Sequence, residues 1–147
     1  MRTFSISVDI AAPPARVFDV MADVERWSEW TPSVTRIRRL DKGPFGVGSR
    51  LFIRQPKLPP AMWKVTAIEP GHSFESISRS PGLRVVARHG VTEAQGGSRA
   101  TLSIELQGLF GRLFGWMTKS LTERYLEMES QGLKARSENQ EFRSPRP

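Results

Sequence analysis

The sequence predicts an α+β domain: a curved seven-stranded antiparallel sheet, two short helices after the first strand and one long C-terminal helix. Three observations carry that prediction. Phe4, Ile6, Val8 and Ile10 alternate with Thr3, Ser5, Ser7 and Asp9, the period of two that turns one strand face to a core. From Val34 to Gln107 the chain falls into strand-length pieces divided by Gly and Pro turn signals. Between Phe110 and Met128, apolar residues return every three or four positions, the period of a helix with one buried stripe.

The elements follow in order. After the first strand, Pro13-Pro14 suits the first turn of a helix, where a missing N–H costs nothing, and Val17, Phe18 and Met21 give that helix an apolar face ending near Ala22. Asp23 is placed to cap a second short helix through Trp27, which Trp30-Thr31-Pro32 closes because the residue before proline is driven to extended geometry. Six strands then read as Val34–Leu40, Ser49–Gln55, Met62–Glu69, Ser73–Ser78, Leu83–Ala94 and Ser98–Gln107. Their short connections favour an antiparallel meander over crossovers. The stripe Phe110, Leu113, Phe114, Met117, Leu121, Tyr125 and Met128 predicts one helix over Leu109–Arg136, on the order of 40 Å long. Residues 1–137 are expected to form a single domain and 138–147, with two prolines and one apolar side chain, a flexible tail.

Composition narrows the function classes. With 147 residues and 38% hydrophobic side chains, the chain is long enough for one core and has no run that approaches the ~20 apolar residues of a membrane span. The N-terminus lacks the continuous apolar region of a signal peptide, so a cytoplasmic location is expected. Without cysteine there is no disulfide, thiolate nucleophile or Cys-zinc site, and two histidines, His72 and His89, are too few for a multi-histidine metal site. No metal and no cofactor is expected. The net charge of +7 is concentrated: Arg36, Arg38, Arg39, Lys42, Arg50, Arg54 and Lys57 face only Asp41. Strand alternation sets Arg36 and Arg38 on one face of their strand and Arg50 and Arg54 on one face of the next, a basic stripe on an outer sheet face suited to solvent or to transient contact with an anionic surface. No regularly spaced stacking aromatics accompany the stripe, which argues against nucleic acid as a partner. A homodimer is left open.

A long helix that closes a curved sheet meets it at the ends and can leave an apolar gap in the middle, which is a binding site by default. The segments Asp9–Asp23 (DIAAPPARVFDVMAD), Trp27–Pro32 (WSEWTP), Trp63–Gly71 (WKVTAIEPG), Gly108–Gly115 (GLFGRLFG) and Tyr125–Lys134 (YLEMESQGLK) carry a family likeness. They resemble the polyketide cyclase/dehydrase and lipid transport branch of the START-like (SRPBCC) superfamily, over about residues 3–137. The resemblance implies the Bet v 1-like helix-grip fold, with a hydrophobic cavity between the sheet and the last helix. The superfamily includes lipid carriers, metabolite binders and aromatase/cyclases, so it implies a hydrophobic ligand and does not settle whether a reaction follows.

Strand alternation names the cavity candidates. They are Leu51 and Ile53; Trp63 and Val65, with Ala67; Val85, Ala87, His89 and Val91; and Leu102 and Ile104. The last helix adds Phe110, Phe114, Met117, Leu121 and Tyr125, and Trp30 is placed where the second short helix meets the sheet. Three roles are open to His89: a satisfied core residue, a polar anchor for a ligand oxygen, or a general base. As a lipid-like or aromatic ligand's binding site the cavity needs no catalyst. As a polyketide cyclase/dehydratase it would fold a reactive chain in a dry pocket, with His89 and Tyr125 as the candidate proton carriers. No other catalytic constellation stands out, since Glu93 and Glu105 read as outward-facing.

Overall fold

The computed structural model describes residues 2–139. Seven strands form one antiparallel sheet: β1 (Arg2–Ile10), β2 (Arg36–Arg39), β3 (Arg50–Arg54), β4 (Ala61–Glu69), β5 (Ser73–Ser80), β6 (Leu83–Ala94) and β7 (Gly97–Gln107). Their spatial order is β1-β7-β6-β5-β4-β3-β2. The meander runs from β2 to β7, and β1 joins it at the far edge because α1 (Pro14–Ala22) and a 3₁₀ helix (Val24–Glu29) carry the chain across the concave face before β2 starts. This is the helix-grip arrangement, in which the C-terminal helix lies against the sheet.

Inward strand residues and the helices share one core, built around Ile10, Val17, Met21, Val24, Leu102 and Leu133. Pro13 precedes α1 in extended geometry and Pro14 occupies its first turn, as the missing N–H allows. Asp23 does precede the 3₁₀ helix, but its side chain makes no capping hydrogen bond and pairs with Arg26 at 3.5 Å instead. Burial raises its pKa from the ordinary carboxylate value, against the weaker pull of Arg26. In β4 a bulge between Val65 and Ala67 shifts the alternation, so Val65 is fully buried, Ala67 faces solvent and Ile68 turns toward the core.

The C-terminal helix departs from the single element predicted for it. It is broken at Thr118 into α2 (Gly111–Met117) and α3 (Lys119–Glu138). The buried residues of α2 are Gly111 and Gly115, four apart, and a Cβ at either would collide with the Leu106 carbonyl or the Arg2 side chain. A helix that packs through a glycine face sends its bulky face outward. Phe110, Phe114 and Met117, expected in the cavity, consequently stand at the surface, 42%, 38% and 62% exposed. In α3 the inward face is Tyr125, Leu126, Glu129, Ser130, Leu133 and Ser137. Gly132 lets this helix reach the Trp30 carbonyl, a distance at which no side chain fits. Glu138, the last helical residue, accepts a 2.7 Å hydrogen bond from the Ala11 N–H and a 2.6 Å one from Lys134, fixing α3 to the end of β1. Residues 140–147 of the expected tail lie outside the described residues.

Candidate functional site

Between the concave sheet face, the 3₁₀ helix and α3 lies a cavity of about 60 Å³. Its walls are largely apolar: Val24, Trp27, Val34, Ile37, Leu51, Ile53, Trp63, Phe74, Ala87 and Ile104, with Gln55, Ser76, His89 and Glu129 as the polar groups. A larger open groove of about 520 Å³ lies between β1 and α3, lined among others by Arg2, Ser5, Glu123 and Glu127. That groove is polar. The smaller cavity, with polar groups set in apolar walls, has the character of a ligand site.

His89 defines the cavity chemically. The β5–β6 register sets it opposite Phe74, and the two rings stack with centroids 4.8 Å apart. Trp27 covers another side, tilted, at 4.9 Å, and is itself held by its indole N–H donating to the Met21 carbonyl at 3.0 Å. The imidazole is 8% exposed and Glu129, reaching down from α3, 9%. Nε2 of His89 lies 2.6 Å from Oε1 of Glu129. An ionised carboxylate only accepts, so Nε2 carries the proton and donates it. In the neutral ring Nδ1 is then a lone-pair acceptor, and it is buried without a hydrogen-bond partner. His89 lines the cavity, and a buried imidazole nitrogen left without a partner calls for a donor or a water.

The structure distributes the remaining candidates. Leu51, Ile53, Trp63, Ala87, His89 and Ile104 line the cavity together. Val65, Val91 and Leu102 are buried in the sheet's packing away from it, and Val85 is half-buried against the core. Trp30 packs against Trp27 with the rings tilted and their centroids 5.4 Å apart, outside the lining. Leu121 is half-buried and does not reach the cavity, because the glycine-faced α2 displaces the start of α3 from the predicted stripe. Tyr125 is buried, and its hydroxyl donates to the Pro56 carbonyl, which ties the β3–β4 loop to α3. Glu105 lies on the outer face with Arg88 and Gln107, and Glu93 is exposed.

Sequence reasoning missed Phe74, Ser76 and above all Glu129 as cavity residues. The signal for Glu129 was present: it lies midway between Tyr125 and Leu133, four residues from each, on one side of the helix. Among the described residues no group of three His, Asp or Glu side chains could hold a metal ion, and no helix is long and apolar enough to cross a membrane.

Fold and cavity together define a helix-grip domain. The polyketide cyclase / dehydrase and lipid transport family matches residues 1–138, and the chain belongs to it. Among solved structures, the Zhui aromatase/cyclase of a Streptomyces species superposes with a TM-score of 0.75 at 15% identity, covering 93% of each chain. The di-domain aromatase/cyclase StfQ of the steffimycin biosynthetic pathway gives 0.74 at 12% identity, over 92% of this chain and 50% of that one. Ara h 8.0201 gives 0.66 at 16% identity, over 91% and 98%. At these identities the likeness is one of fold. An uncharacterized protein of Mycobacterium tuberculosis is 35% identical over 50 residues, which is 34% of this chain and 30% of that protein.

Proposed function

We propose that this domain binds a small, largely apolar molecule, lipid-like or aromatic and polyketide-like, that carries a hydroxyl or phenol group. The observation that carries the reading is the His89–Glu129 pair on the cavity's largely apolar lining, with the histidine's Nδ1 buried and without a hydrogen-bond partner. The carboxylate fixes the imidazole's orientation and tautomer, and the unpartnered nitrogen accepts the ligand's O–H. Apolar walls supply affinity in proportion to the area they cover, and the single polar contact supplies orientation.

The test starts with native mass spectrometry of protein purified from its own source, then denaturation to identify any passenger. A panel of fatty alcohols, sterols and phenolic polyketides is then titrated by tryptophan fluorescence, since Trp27 and Trp63 line the cavity. Expected is one ligand per chain and a preference of about tenfold or more for hydroxyl-bearing ligands over their methyl ethers. A bare protein that responds to no member of the panel would falsify the proposal.

The dyad also favours a second reading. A carboxylate that orients a histidine is the arrangement of a base and its orienting partner, and membership of this family admits a polyketide cyclase/dehydratase in which Nδ1 takes a proton from the folded substrate. His89→Phe separates the two readings. A catalyst loses ~10²–10⁴-fold in rate while still binding substrate, whereas a carrier has no rate to lose.

A further inference from the structure

The end of the sheet where β1 begins and β7 ends carries a surface that the cavity does not use. Because α2 packs through Gly111 and Gly115, its other faces stand in solvent: Leu109 is 85% exposed, Trp116 74% and Met117 62%, with Leu113 beside them. A cluster of this size on a two-turn helix exceeds the scattered single hydrophobics of an ordinary surface.

The charge around it is mainly positive. Residues 106–122 contain Arg112 and Lys119 and no carboxylate. The β5–β6 turn lies against this segment, for the Phe110 N–H donates to the Gly82 carbonyl at 2.9 Å. That hairpin brings Arg79 and Arg84, opposite one another in the ladder and both exposed. The register places the β3–β4 loop with Lys57 at the same end. Lys119 pairs with Glu123, while Arg79, Arg84 and Arg112 have no carboxylate partner among the described residues. The opposite end of the sheet mixes the two signs, with Asp41, Glu69 and Glu93 at its turns and Glu138 at the close of α3 beside Lys42, Arg50, Arg99 and Lys134.

We propose that this end of the domain docks on the interface of an anionic lipid bilayer. Trp116, Leu113 and Met117 enter the boundary between headgroups and acyl chains, while Arg79, Arg84 and Arg112 meet lipid phosphates. The opposite end, where both signs occur, then points away from the surface. Charge also decides against a second copy as the occupant. A two-fold contact through α2 would gather both copies' unpaired arginines around one interface, whereas a phosphate surface neutralises them. Arginine with an interfacial tryptophan is the pairing that such a boundary selects. The proposal does not depend on what the cavity holds.

Co-sedimentation of the full chain with vesicles tests it, comparing pure phosphatidylcholine with a mixture containing about one-third phosphatidylglycerol. Expected is pelleting with the anionic vesicles that falls as salt is raised. Leu113→Ser with Trp116→Ser should weaken it about tenfold or more, and Arg84→Gln with Arg112→Gln about fivefold per cation removed. These side chains are exposed, so far-UV circular dichroism and melting should match the wild type. Quenching of wild-type tryptophan fluorescence by brominated lipid gives a reading that needs no variant. Equal partition onto neutral vesicles, binding that survives both variant pairs, or a solution dimer dispersed by the serine pair overturns the proposal.

Discussion

Replacing His89 by Phe and Glu129 by Leu, singly and together, separates what the pair contributes to stability from what it contributes to binding. In His89→Phe the new ring keeps the stack on Phe74 and the contact with Trp27, but Glu129 is left as a carboxylate that is 9% exposed and has lost a 2.6 Å donor. Removing one member of a buried pair costs about 3–5 kcal/mol, and the residual exposure puts this site near 3. In Glu129→Leu a neutral imidazole N–H loses its acceptor, at about 2 kcal/mol. Independent sites would then lose about 5 kcal/mol together. The double variant should lose only about 1–2, because two well-packed apolar side chains remove both desolvation costs at once. The coupling is therefore about 3 kcal/mol, read from urea midpoints at constant m. If the double variant equals the sum of the singles to within about 0.5 kcal/mol, the pair does not act as a unit and the reasoning fails. The same double variant, stable and without its polar anchor, should also lose the preference for hydroxyl-bearing ligands.

Gly132→Ala should lower Tm by roughly 5 °C despite alanine's better helix propensity, because its Cβ meets the rigid Trp30 backbone; Gly46→Ala, with open space around it, is the neutral control. A Gly132→Ala variant that melts at or above the wild type would contradict the close approach of α3. The Ala11 N–H, and then Lys134, hold the Glu138 carboxyl below its ordinary value of 4.5. A lowered carboxylate pKa gives stability that is present above the unfolded value and lost as pH falls through the folded one, so Glu138→Gln should be less stable than wild type at pH 7 by an amount that closes as pH falls below 4.5 and through the lowered value. Urea titrations at both pH values check this, and a gap that persists in acid points to a cause other than ionisation.

Most of the sheet was legible because strand alternation and turn residues are local signals. The six strands read between Val34 and Gln107 all appear, with boundaries shifted by no more than two residues. The placement of β1 beside β7 is a non-local choice that periodicity does not carry. The helix stripe misled for a physical reason: Phe110, Phe114 and Met117 have the spacing of a buried face, yet the backbone packs more closely through Gly111 and Gly115 and turns that face out. Ala67 was misplaced by a bulge, which inserts one residue and reverses the alternation beyond it. Glu129 was overlooked because a charged helical residue ordinarily faces water; only the partner on β6, 40 positions away, makes its burial tolerable.

The size of the cavity constrains how the proposed ligand site works. About 60 Å³ admits one or two waters, against the ~300 Å³ or more of a pocket that encloses a drug-sized ligand. Binding is then coupled to expansion, and the measured affinity is the intrinsic one reduced by the population of the expanded state. The walls are unequal in what they allow. β6 and β7 are 12 and 11 residues long and joined along nearly their whole length, whereas β2 and β3 have four and five residues and β2 is a sheet edge. Ile37, Leu51 and Ile53 line the cavity from those short strands, and the following loop holds Lys57 at a φ of 67°, a conformation that L side chains adopt at a cost. Expansion at that side sacrifices the fewest ladder hydrogen bonds and can relieve the strained residue, while the His89–Glu129 pair stays anchored between β6 and α3. The polar anchor thus sits on the rigid wall and the yielding surface is apolar, a division that fixes a ligand's hydroxyl while leaving the shape of its hydrophobic part loosely specified.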